Sequence, residues 1–124
     1  FIARDIYDEF CARFVAATKK LTRFTPNTLD NAETLRAAVQ NARETGFGRA
    51  DGSFEVDVHS LAAPVFDQTG LFAGAVSAAS VASRFTPGLA QLIKTHLVTA
   101  SREITRNWGG SIPENGEQAW AMDL

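Results

Sequence analysis

Few side chains in this sequence could do chemistry, and the two best placed are serines. Ser60 and Ser77 lie in two apolar runs, Val56 to Phe66 and Leu71 to Val81, which flank Asp67-Gln68-Thr69-Gly70. Aspartate opens such turns through its side-chain oxygen, and glycine supplies the positive φ that closes them. The pattern predicts a β-hairpin. If Phe66 and Leu71 close the loop, Ser60 faces Ser77, Val58 faces Ala79 and Ala62 faces Ala75. Side chains alternate along a strand, so all six share one face, unless a single bulge slips the register by one and separates the serines. That face carries two hydroxyls among alanines, and no Lys or Arg. Hydroxyls can donate to a carboxylate without bringing a full charge. The small side chains leave volume that a close-packed interior does not tolerate, so either a bulky element or a small ligand covers them.

Other reactive groups are sparse. Asp57-x-His59 places an acid and an imidazole on one strand face; this is either a metal or proton-transfer pair or, the favoured reading, a strand-edge ion pair or a polar rim beside the last helix. His59 points away from Ser60, so neither serine has a base. One cysteine and two histidines cannot furnish a zinc site. Cys11 falls in an apolar stripe and reads as a small core residue. No phosphate-binding glycine loop opens a helix, and no GxSxG elbow occurs. The residues point to a protein that is not an enzyme and needs no cofactor.

The elements that would position this face follow in order. Ile6, Phe10 and Phe14 recur at helical spacing from about Asp5 to Lys20. Pro26 breaks the connector Leu21 to Leu29, and Asp30 and Glu33 can cap a second helix that buries Leu35, Ala38, Val39 and Ala42 and ends at Gly46. Phe47 to Asp51 is a short strand or extended segment. After the hairpin, Thr86-Pro87 starts a long helix. Its stripe of Leu89, Ile93, Leu97, Ala100, Ile104 and Trp108 should pack on Leu61, Ala63, Val65, Phe72, Val76 and Ala78. Residues 1–110 are read as the C-terminal part of one domain, and 111–124 are expected to be a loosely ordered tail with Trp120 as its anchor. The class is α+β, an antiparallel sheet with helices packed on it. Three strands leave edges open, so the sheet is read as incomplete, with further strands upstream.

Composition narrows the function. With 124 residues, 12 Lys+Arg and 14 Asp+Glu, the chain has no basic block for nucleic acid and no apolar run able to span a bilayer. A single cysteine suits a reducing cytoplasm. The chain opens on Phe1 and reads as part of a longer protein.

The segments LTRFTPNTLDNAETLRAA, ARETGFGRADGSFEVDVHSLAAPVFDQTG and FAGAVSAASVASRFT, followed by a long helix, resemble the C-terminal effector-binding domain of IclR-type bacterial transcription regulators. The resemblance implies a GAF-like, profilin-like fold. It also implies sensing of a small organic or aromatic acid, and control of DNA binding through an N-terminal winged helix-turn-helix that this chain lacks. Homodimers or homotetramers, a cytoplasmic location and no membrane partner come with it. Carried over by position, the ligand-binding residues are Asp51, Val58, Ser60, Ser77 and Ala79. Ala50 stands where the family commonly has the first of two acids, Ala79 where it has a second serine, and Ser80-Val81 where it often has glycine-proline. Those losses motivate a different reading, a structural or oligomerisation domain with a vestigial pocket.

Overall fold

The computed structural model describes residues 22–124. The helix expected over Asp5 to Lys20, with Cys11, lies outside the described residues. The elements run α1 (Ala32–Thr45), β1 (Gly48–Asp51), β2 (Val58–Phe66), β3 (Phe72–Val81), a 3-10 turn (Ala82–Arg84), α2 (Pro87–Asn107) and α3 (Glu114–Asp123). The strands form one antiparallel sheet in the order β1-β2-β3. The α+β class read from the sequence is the one observed.

Local chemistry sets the helix ends. Asn31, one residue later than the expected cap, accepts a hydrogen bond from the Thr34 amide at 2.9 Å and starts α1. Gly46 ends it at φ 77, in the left-handed region that favours glycine. Leu35, Ala38, Val39 and Ala42 face inward but are only half-buried. Thr86 caps α2, accepting from the Leu89 amide at 3.1 Å, and Pro87 follows in the first turn.

The core lies between α2 and one face of the sheet, where Phe47, Leu61, Ala63, Phe66, Leu97, Val98 and Trp120 meet. The face of α2 differs from the expected stripe. Leu97 is buried and Leu89 and Ile93 are half-buried, but Ile104 is 42% exposed and Trp108 is exposed too. The deepest positions are Leu97, Val98, Ser101 and Thr105. Two hydroxyls turn the helix this way, because each serves a strand group that needs a partner. The Ser101 hydroxyl donates to the Pro64 carbonyl, and Thr105 Oγ1 accepts from the Phe66 amide at 3.3 Å.

The tail also differs. It was expected to be loosely held, yet Pro113 leads into α3 with Glu114 and Glu117 in its first turn, where acids suit the helix dipole. Trp120 is its anchor, as expected. The ring is 0% exposed, and its Nε1–H donates to the Gly46 carbonyl at 2.8 Å.

Candidate functional site

The hairpin turn is built on Asp67. Its Oδ1 accepts from the Thr69 amide (2.8 Å), the Thr69 hydroxyl (2.6 Å) and the Leu71 amide (3.1 Å), while its own amide donates to the Leu71 carbonyl. These donors, the Thr69 hydroxyl first and the Leu71 amide next, hold the Asp67 carboxyl below the usual carboxylate range. Leu71 thus belongs to the loop, and Phe66 pairs with Phe72. A bulge follows at Val65/Phe66, after which Val65 pairs with Gly74.

Each displacement by itself would turn every β3 side chain to the other face. Together they restore the faces and shift the register by two. Ser60 therefore lies opposite Ala79 and Ser77 opposite Ala62, which corrects the expected direct pairing of the serines. Ser60 and Ser77 still share one face, as diagonal neighbours that are typically about 7–8 Å apart. Phe72 precedes the bulge and so leaves the core face; it is 68% exposed, against the expectation that it packs under α2.

β1 extends this face. Ala50 pairs with Ser60 and Gly48 with Ala62, giving the rows Ala50–Ser60–Ala79 and Gly48–Ala62–Ser77 across three strands. Val58 and Val81, a directly opposed pair, stand at one end, and Pro64 and Ala75 at the other. None of these ten residues is charged. Val58, Ser77, Ala79 and Val81 are exposed, and Ser60 and Ala62 are half-buried. Within the described residues the face has no covering helix.

Asp51 is not brought to this face. It pairs with His59, so it belongs to the opposite face, where its Oδ2 accepts from Arg49 Nε at 2.7 Å and its Oδ1 lies 3.5 Å from His59 Nδ1. The His59 ring packs edge-on against Phe85, with centroids 5.6 Å apart. The acid beside His59 is thus Asp51; Asp57 is exposed, and its carbonyl accepts from the Ala82 amide. Among the described residues, no group of three or more His, Cys, Asp or Glu could hold a metal ion. Sequence reasoning missed Gly48 and Ala50 as part of the Ser60 face. Alternation places Ala50 and Asp51 on opposite faces, but only the pairing of β1 with β2 says which residue joins the serines.

With this geometry in place, the comparisons with known proteins decide the family. Residues 8–106 match the profile of the bacterial transcriptional regulator IclR C-terminal family. The chain belongs to this family. A solved structure of an IclR transcriptional regulator from Silicibacter sp. TM1040 is 34% identical, with a TM-score of 0.79, covering 86% of this chain and 41% of that one. The C-terminal domain of the E. coli transcriptional regulator KdgR is 30% identical, with a TM-score of 0.68, covering 71% of this chain and 54% of that one. The inducer-binding domain of the Acinetobacter transcription factor PobR, solved as a double mutant with 3-hydroxybenzoic acid, is 24% identical and shares the fold (TM-score 0.62; 68% of this chain, 49% of that one). No curated protein matched by sequence. The chain spans under half the length of the Silicibacter regulator and about half that of the KdgR domain. Among the described residues, no helix is long and apolar enough to cross a membrane.

Proposed function

We propose that this chain is part of a small-molecule sensor in an IclR-type transcription regulator, and that the effector is a small organic or aromatic mono-acid. The observation that carries the reading is the face itself, which offers two hydroxyls on a floor of Gly and Ala with no charged side chain. Ser60 and Ser77 donate to the carboxylate, and the apolar part of the acid lies on Val58, Ala62, Ala75 and Ala79. A phosphate ester is disfavoured, because nothing on this face neutralises two charges. The hydroxybenzoate bound by PobR supports the ligand class only, as that protein shares the fold.

In the parent protein the effector modulates DNA binding by an N-terminal winged helix-turn-helix, within a cytoplasmic homodimer or homotetramer. The domain itself performs no catalysis. Thermal shift of the full-length regulator against a panel of small organic and aromatic acids tests this reading. A ligand at 100 times its Kd adds about 2.7 kcal/mol. Ser77→Ala should then weaken binding roughly ten- to a hundredfold by titration calorimetry, the loss of one hydrogen bond to a charged group. Unchanged affinity would place the effector elsewhere. No shift with any acid would favour the structural reading that Ala50 and Ala79 motivate.

A further inference from the structure

The family match ends at residue 106, one residue before the end of α2, so all of α3 lies beyond it. Yet α3 is keyed into the junction where α1 gives way to β1. A Cβ on Gly46 would lie 2.5 Å from Trp120 Cδ1, so the indole occupies the space that a side chain there would need. The same ring donates to the Gly46 carbonyl. From the other side, two cations of α2 hold α3 through the ion pairs Lys94–Asp123 and Arg102–Glu117. Lys94 Nζ also lies 5.3 Å from the Phe47 ring centroid, and Arg102 Cζ lies 5.8 Å from that of Trp120. α1 and α2 make no extensive contact of their own, and β1 pairs only with β2. α3 bridges them.

As an isolated helix α3 is weak. It has ten residues, Gly116 in its first turn and no side-chain hydrogen bond at its N-cap. Helices this short do not persist in water without tertiary contacts. We propose that α3 is a C-terminal strap, a separately opening unit that docks α1 and β1 onto α2. When it lifts, α1 and β1 come free while β2, β3 and α2 stay folded. Gly48 and Ala50 sit on β1, so lifting also removes one side of the candidate ligand face; that consequence rests on the ligand reading, whereas the strap does not.

Native-state hydrogen exchange on the full chain without ligand tests it. Gly116→Ala raises helix propensity, and the nearest atoms to its new Cβ, on Ile112 and Phe66, are at 3.6 Å, ordinary contact. The variant should slow exchange in α3 about two- to fivefold, the effect of replacing a helical glycine. Amides from Gly46 to Asp51 should slow by the same factor, with the β2–β3 amides unchanged. Glu117→Gln should speed the same set. Slowing confined to α3 would overturn the proposal, because the junction would then open independently. Slowing shared by β2 and β3 would also overturn it, because α3 would then open only with the whole domain.

Discussion

The β1 side of the sheet and the β3 side follow opposite rules. On the β1 side helices of the chain supply cover on the core side: α1 lies beside the strand, α3 closes on α1, and Phe47 and Trp120 are among the most buried side chains, although the Ala50 face stays open. On the β3 side, ten residues without charge or proline, FAGAVSAASV, form an outer edge with no partner among the described residues. Phe72 and Val81 are exposed there; on α2, Leu92, Ile104 and Trp108 are exposed as well. Proteins seldom leave such an edge bare, because it templates pairing with another strand. The difference teaches that burial alone does not mark what an element is for. The β1 side is stabilised by contacts within the chain, while the β3 side has capacity left for more chain or a second copy. The candidate ligand face runs across both.

The two tryptophans give the sharpest test of that contrast. Trp120→Ala empties a fully buried site and strands the Gly46 carbonyl, so it should cost about 3–5 kcal/mol in denaturant unfolding. Trp108→Ala, at the exposed end of α2, should stay within about 0.5 kcal/mol. Equal losses would mean that Trp108 is covered in solution. On α2 itself, Leu97→Ala should cost about 2–5 kcal/mol, while Ile104→Ala costs under about 1 kcal/mol.

An intermediate effect is expected where the two sides meet. Thr105→Val keeps the shape but removes the acceptor of the Phe66 amide beside the bulge. Leaving that buried N–H unpaired should cost about 1–3 kcal/mol. A neutral outcome would show that the amide finds another partner and that the bulge does not depend on α2.

These residues also mark what was legible in the sequence. The helix starts at Thr86-Pro87 and the stop at Gly46 were readable because caps are local chemistry. The hairpin was readable from Asp67 and Gly70, and so was the shared face of Ser60 and Ser77. The register was not, since the loop takes in Leu71 and the bulge then compensates, and nothing local announces either. Hydrophobic spacing misplaced the buried face of α2, because it gives no weight to hydroxyls such as Ser101 and Thr105 that are buried to satisfy strand groups. Of the docking of α3, only its anchor Trp120 was legible. Its stability is tertiary, a tryptophan fitted against a glycine 74 positions away in the chain.

The smallest expected effect separates the strap from the hairpin by pH. The hydrogen bond from Arg102 first, and its charge next, hold the Glu117 carboxyl below its ordinary value. A carboxyl lowered in the folded state stabilises that state above its unfolded pKa, and the contribution is lost as pH falls through the lower folded value. Arg102 stays charged throughout, so only Glu117 titrates. The two side chains are 45% and 41% exposed, so solvent and salt screen the pair, and its worth is about 0.2–1 kcal/mol. Asp67 is also lowered, and acid therefore loosens the hairpin as well. Comparison with Glu117→Gln removes that background. At neutral pH the buried Trp120 indole N–H should exchange more slowly in the native chain than in the variant. The difference should shrink as pH falls through and below the ordinary glutamate range, and it should shrink at neutral pH when salt is raised. A difference that persists in acid would show that Arg102 and Glu117 do not hold α3 by charge, leaving Trp120 and the Lys94–Asp123 pair to fasten it.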